Sequence, residues 1–530
     1  MVARKARAAP HPTRPQARKS TPRAATGSDG GPRAGAAASE LLSRISDAAV
    51  VLLALVSLVL LWRRAAGAVF QTDECFHAHV AQWIAAHGRL PREVPELYSG
   101  FAYFYPPLFH IVGAVSVAIA GVASLPFLNV ILTGLLYLLL VAVPFAGVQR
   151  TPRLWTIVIL VANASLSAYV LRFYAETLAT LLAVLFILLL LRLRARQRPL
   201  DGIAVGLAAG LALVEKQPFV LFPALLALLA AIYAFRHERR LMNALLIALG
   251  VSVVVSAPFF IRNQILFRSP FYPAASSAAQ QALDALNTRM FSVPPGEFYR
   301  LALLVAGPVI PWLAVAALIW SLVRGPRDLT SGVLALCLAF TVTAPLVHRF
   351  EARHLNPFIA VTALLSCLVL YDALARRRAI CNAAQWALIA WAAFTLYRQP
   401  NVRPQMNAPP VLMEAFRAVK QNVPAGSTVL SLWTYDTFYY SGRNATWPIP
   451  WSRSAEQLPL FEGLDPDHFL ATLDRESIDY LLVPRSPPPP QFNGGNYPRP
   501  FVDSMVRLLE AGRLRIVWQS EAVALVARVH

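Results

Sequence analysis

Apolar runs of about twenty residues, separated by short polar breaks, fill most of this chain. A helix that crosses the hydrocarbon of a bilayer needs roughly 20 mostly apolar residues. Eleven runs satisfy that, near 45–64, 126–148, 154–171, 175–192, 200–215, 217–235, 241–261, 300–323, 329–347, 354–372 and 379–397. After 398 the pattern changes. Strand-like runs at 427–433 and 479–485 alternate with a helical run at 501–512, and a Pro-rich loop at 486–492 interrupts them. The predicted fold class is therefore mainly α: a polytopic membrane protein of about 11 transmembrane helices with a C-terminal extracytoplasmic α/β domain over 398–530. The transmembrane domain is expected over 45–397, with a first external loop at 65–125. Residues 1–44 are expected to be a disordered, basic cytoplasmic tail. The first run has no cleavage-site pattern behind a short apolar core, so it reads as an anchor.

Composition supports this pattern. Hydrophobic residues make up 57% of the 530 and charged residues 14%, with mean hydropathy +0.51. A soluble chain carries about 25% charged residues. Four cysteines cannot staple a chain of this length, and Cys337, Cys367 and Cys381 lie in or beside apolar runs, where a thiol behaves as a small hydrophobe. The +20 net charge invites a nucleic-acid reading, but its location removes it. The basic tail and the breaks at 149–153, 192–198, 236–240, 324–327 and 375–378 hold 23 Lys/Arg against 7 Asp/Glu, counting the acids at their edges, so +16 of the +20 is in these segments. Basic loops stay in the cytoplasm. The charge is a topology signal, no nucleic-acid partner is expected, and the lipid bilayer is the implied surroundings. Parity holds only if 107–120 lies along the outer interface without crossing. The N-terminus is then cytoplasmic, the chain multi-pass, and the membrane the cell's inner (plasma) membrane.

The external breaks carry the candidate chemistry. The first contains TDECFHAH (72–79), in which Asp73 and Glu74 precede a short amphipathic helix at 75–87. The second has Arg172 and Glu176, the third Glu215 and Lys216, the fourth Arg262, and the fifth His348, Arg349 and Arg353. Ionisable residues beside hydrocarbon are expensive and mark a site by default. Carboxylates and cations on one side of the membrane suit transfer from a phosphate-bearing lipid. The cations hold a phosphate leaving group, and a carboxylate takes the proton of an attacking hydroxyl. The plainer readings are two loop carboxylates at a helix start, Glu176 pairing with Arg172 at i,i+4, and cations that snorkel to the interface. His77 and His79 are candidate ligands for a divalent metal, which would need Asp73 or Glu74 as a third ligand. No cofactor is otherwise implied, and no phosphate loop of the G-x-x-x-x-G-K-[ST] type is present.

With those residues in place, the chain resembles the GT-C superfamily of integral-membrane glycosyltransferases, nearest to its protein O-mannosyltransferase and aminoarabinose-transferase branch. The resemblance spans roughly 45–372. It rests on the acidic pair at 73–74, YPPLFH (105–110), RFYAE (172–176), LVEKQP (213–218), PFFIRNQILFRSPFYP (258–273) and RFEARHLNP (349–357), in that order. It implies a polyprenyl-phosphate sugar donor, of the undecaprenyl or decaprenyl kind, and inverting transfer to an acceptor hydroxyl on the outer face. The acceptor's class, whether protein, glycan or lipid, is left open. The resemblance also implies Asp73 as base with Glu74 supporting it. Donor-phosphate contacts fall to Lys216, Arg262, Arg349 and Arg353. Glu176 stands where the family often has Asp. The competing expectation is a transporter or flippase of a lipid-linked or anionic substrate. Against it, the charges gather at one face and no duplicated halves are evident.

Overall fold

The computed structural model describes residues 32–93, 103, 105–271, 295–324, 329–347, 352–398, 410–446, 466–485 and 499–529. All eleven apolar runs are helical. Seven helices are long and apolar enough to cross a membrane: Glu40–Ala65, Val122–Ala142, Glu176–Arg196, Gln217–Phe235, Arg239–Phe267, Arg353–Leu374 and Ala379–Arg398. The first belongs to helix α1 (Pro32–Ala65), which begins within the stretch expected to be a disordered tail. Pro199–Glu215, of 17 residues, and Leu329–Val347, of 19, fall outside those seven. The helix expected to lie at the interface is α3 (Leu108–Ala120), which has 13 residues. At ~1.5 Å per residue it rises about 20 Å, short of the ~30 Å hydrocarbon core, so it does not cross by itself.

Two runs expected to be continuous are bent. The run at 154–171 breaks by 77° between α5 (Arg150–Ala162) and α6 (Ala164–Val170), and the run at 300–323 breaks by 92° between Gly296–Ala306 and Val309–Val323. One side chain closes both breaks. Asn163 Oδ1 accepts from the Leu166 N–H at 2.9 Å, while its Nδ2 donates to the carbonyls of Val305 and Ala306 at 3.0 and 2.9 Å. Helix ends buried away from water need such partners. A hydropathy window cannot register one asparagine doing this.

Helices α7 (Glu176–Arg196), α8 (Pro199–Glu215), α9 (Leu221–Phe235) and α10 (Arg239–Phe267) follow. Glycines at i, i+4 and i+8 bring α8 against α10. A Cβ on Gly202 or Gly206 would lie 2.4 Å from the carbonyl oxygen of Ala244 or Ala248, and one on Gly210 would lie 2.9 Å from that of Ser252. Small residues at this spacing let membrane helices touch backbone to backbone. Lys216 follows the C-terminal end of α8.

The C-terminal part is a mixed five-stranded sheet in the order β2-β1-β3-β5-β4, with β1 (Thr428–Ser431), β2 (Asn444–Thr446), β3 (Ile478–Pro484), β4 (Leu514–Gln519) and β5 (Val523–Arg528). β1 pairs in parallel with β2 and β3, and β5 runs antiparallel to β3 and β4. Both strand-like runs and the helical run of the sequence are present as β1, β3 and the helix Arg499–Glu510. The helix Thr434–Ser441, between β1 and β2, lies between this core and the membrane part: Tyr440 stacks on Phe416 of the core, and Tyr435, Phe438 and Tyr439 pack on the membrane part.

Candidate active site

The site is built where four segments end. α2 (Asp73–His87) starts at Asp73, so its first turn carries Asp73 and Glu74, as the positive end of the helix dipole favours. The turn before it is strained, with Thr72 at φ 51°, a left-handed value unusual for a β-branched residue. Two carboxylates hold that turn. Glu74 reaches back three residues and accepts the Gln71 N–H at 3.1 Å, the spacing of a capping box. Asp436, from the Thr434–Ser441 helix, accepts the Thr72 N–H on both oxygens at 3.0 Å.

The second segment is the break 171–175 ahead of α7. Asn129, in α4 (Leu125–Ala142), donates to the carbonyls of Arg172 and Tyr174 at 2.5 and 3.0 Å. Glu74 accepts the Phe173 N–H at 2.8 Å and pairs with Arg172 at 3.2 Å. This chain is not helical at 172–175, so the i,i+4 pairing of Arg172 with Glu176 does not exist. Glu176 turns instead to cations from two other segments. Lys216, in the turn after α8, lies 2.6 Å from Glu176 Oε1, Arg353 Nε lies 3.7 Å away, and His354 Nε2 lies 3.8 Å away. Arg353 and His354 sit on the short 3-10 turn Ala352–Leu355.

Arg353 bridges the two carboxylates that face the site, because its Nη2 donates to Asp73 Oδ2 at 2.7 Å. Its guanidinium also lies over the Tyr174 ring, 3.9 Å from the centroid. Asp73 is the member open to solvent: its side chain is 36% exposed, against 10% for Arg353 and 5% for Glu176. Asp73, Glu176, Lys216 and Arg353 therefore converge.

Behind this front lies a second set of polar groups. Burial pushes the Glu74 carboxyl up to about 7, although Arg172 and two backbone amides pull the other way. Asp436 is also pushed up to about 7 by burial, against the hydrogen bonds it receives. His77 shares the Asp73 face of α2, one turn on. It is hydrogen-bonded through Nδ1 to His110 Nε2 at 2.8 Å, and His110 Nδ1 bonds to the Tyr103 hydroxyl at 2.8 Å. Burial drives His77 down to about 4 and outweighs the carboxylate of Asp73, so the ring is neutral.

Not every expected site residue joins the front. Arg262 spends its Nη2 on the carbonyls of Pro91 and Tyr103 at 2.8 and 2.9 Å, and among the described residues it contacts no member of the cluster. It braces the first external loop. Arg349, with His348, lies outside the described residues. His77 and His79 diverge: His77 joins His110, while His79 packs edge-on against Phe438 at 4.5 Å. Adjacent-but-one residues on a helix point to different sides, and no group of three His, Cys, Asp or Glu that could hold a metal exists among the described residues. Asn129, Tyr174, His354 and Asp436 were not among the residues expected at the site. A signal existed for the last, an isolated acid in the aromatic run TYDTFYYS (434–441).

Among known proteins, no family model matches the sequence and no curated protein matches it. Similar solved structures exist. ArnT from Cupriavidus metallidurans, bound to undecaprenyl phosphate, superposes with TM-score 0.60 at 15% identity and covers 91% of this chain and 98% of its own. The archaeal oligosaccharyltransferase AglB from Archaeoglobus fulgidus, in complex with an inhibitory peptide and a dolichol-phosphate, superposes with TM-score 0.57 at 13% identity, over 82% of this chain and 69% of its own. The chain is an integral membrane protein that shares the fold of ArnT and AglB.

Proposed function

We propose that this protein is a glycosyltransferase that moves a sugar from a polyprenyl-phosphate donor to an acceptor hydroxyl at the outer face of the inner membrane. The observation that carries the reading is the convergence of Asp73, Glu176, Lys216 and Arg353 from four separate loops. Buried charges are costly to assemble, and such clusters occur where charge must be handled. The fold supports the same reading, since ArnT is bound to undecaprenyl phosphate and AglB to a dolichol-phosphate.

The chemistry is then assigned as follows. Lys216 and Arg353 draw the donor phosphate by charge, and Arg353 provides the planar fork that suits phosphate oxygens. Glu176 keeps both cations in place before the donor arrives. Asp73, the exposed carboxylate, accepts the proton of the acceptor hydroxyl. That oxygen attacks the anomeric carbon as the bond to the phosphate oxygen breaks on the opposite face. The polyprenyl phosphate leaves with the electron pair, and the configuration inverts. Glu74 supports Asp73 through the backbone.

Mass spectrometry of envelope glycoconjugates from a deletion strain tests this. The expected result is one missing sugar, restored by the wild-type gene and not by Asp73→Asn at equal expression. Restoration by Asp73→Asn would remove Asp73 as base. An unchanged glycoconjugate profile in the deletion strain would remove the transferase reading altogether.

A further inference from the structure

The residue preceding the proposed base is held from 364 positions away in the chain. Thr72 donates its N–H to both oxygens of Asp436 at 3.0 Å. Its backbone is in a left-handed conformation, and a β-branched residue persists there only where surroundings enforce it. Local sequence supplies only part of the enforcement: Glu74 holds the neighbouring Gln71 N–H, while Thr72 makes no side-chain cap to its own helix. The rest of the Thr434–Ser441 helix acts on the same segment. The Tyr440 hydroxyl donates to the Phe70 carbonyl at 2.7 Å, and the Tyr435 ring packs 5.2 Å from that of Phe76. Asp436 is buried. A carboxyl buried this deeply needs polar partners, and the one it reaches outside its own helix with both oxygens is the Thr72 amide.

We propose that Asp436 is a positioning residue for the transfer reaction, by which the C-terminal α/β part completes the active site. It fixes the Thr72 N–H and so aims Asp73, one residue on, at the space shared with Arg353. Glu74 does the same for the Gln71 N–H from within the membrane part. The strained turn is thus gripped from both sides, and only one grip is local. This proposal rests on the glycosyltransferase reading for its catalytic consequence, though not for its structural one.

Cys75 provides an independent reporter. It is buried, and its Sγ lies 4.0 Å from Asp436 Oδ1. The full-length protein in lipid nanodiscs is treated with N-ethylmaleimide, and alkylation of Cys75 is followed by mass spectrometry for the wild type, Asp436→Ala and Asp436→Asn. Transfer kinetics are measured in parallel with the polyprenyl-phosphate form of the sugar that the deletion strain lacks. Asp436→Ala is expected to raise Cys75 alkylation at least tenfold. It should lower kcat at least tenfold while the donor KM changes less than threefold. Asp436→Asn keeps one acceptor oxygen for the Thr72 N–H and should recover most of kcat. Unchanged alkylation in Asp436→Ala overturns the proposal, whether or not the protein transfers sugar. Faster alkylation with wild-type kcat overturns the positioning role and leaves the transferase reading standing. If the wild type transfers nothing, the transferase reading fails, and the alkylation result alone decides whether Asp436 fixes the turn.

Discussion

Two layers of acid meet at the adjacent pair Asp73 and Glu74, and they do opposite work. In the front layer, Asp73 and Glu176 meet the cations Arg353 and Lys216 and face the space at the loop ends. In the layer behind, Glu74 and Asp436 hold backbone N–H groups, and Glu74 also pairs with Arg172. Asp73 and Glu74 are adjacent in sequence and chemically near-identical. What separates them is the direction that one helical step imposes, about 100° per residue. Charge–charge pairing at the front assembles groups that can exchange partners with a substrate. Amide-holding at the back fixes where those groups start.

The strongest way to break this contrast is at the front. Asp73→Asn should lower transfer by about 10²–10⁴-fold, the usual range for a positioned base, with expression and folding intact. Equal loss in Glu74→Gln would mean that the two acids are not divided as described. Next, Glu176→Ala leaves Lys216 and Arg353 without their shared partner. Removing one side of a buried pair costs about 3–5 kcal/mol, read as a lower unfolding temperature in detergent. A fall no larger than that for a surface Glu→Ala would show that Glu176 does not hold the cations.

The back layer gives a pH signature. The folded protein binds the Glu74 proton more tightly than the unfolded chain does, since the carboxyl rises from 4.5 to about 7. Stability from this group is therefore full below about pH 4.5 and is lost as pH climbs to about 7. At 1.36 kcal/mol per pKa unit the loss is ~3 kcal/mol. Asp436, also raised to about 7, adds a slope of the same sign, so Glu74→Gln should remove only its own share of the fall across that window, and a full wild-type slope retained in the variant would refute it. His77 has the opposite sign. Its folded value of about 4 means that stability falls as pH drops from about 6.5 towards 4. His77→Gln should remove that acid-side loss. The smallest effect is expected from His79→Ala, which trims one aromatic contact to Phe438. Transfer should stay within twofold and should not respond to added divalent metal. A metal-dependent defect would revive the paired-histidine site.

Much of this was legible beforehand. The apolar runs, the short helix at 107–120 and the strands at 427–433 and 479–485 are local patterns, and each is helix or strand as expected. The charged front was legible as residue types at loop ends, and the convergence of Asp73, Glu176, Lys216 and Arg353 fits that reading. Arg262 shared the signal and, among the described residues, makes no contact with that cluster: it lies within α10, five residues before the helix ends, and spends its guanidinium on the carbonyls of Pro91 and Tyr103. The two bends at Asn163 and Gly307 were hidden within runs whose mean hydropathy is that of a straight span.

The sequence by itself determined that the chain lives in a membrane, where its apolar helices lie, and which charged residues sit near their ends. Those properties depend on composition over windows of a few to twenty residues, which any stretch of chain carries with it. Only the tertiary structure decided which acid faces the cations, which acid holds an amide, and that Asp436 reaches back across 364 residues to Thr72. Such pairings depend on distances of about 3 Å between segments that share no local pattern. They exist only once helices pack and bring their ends together.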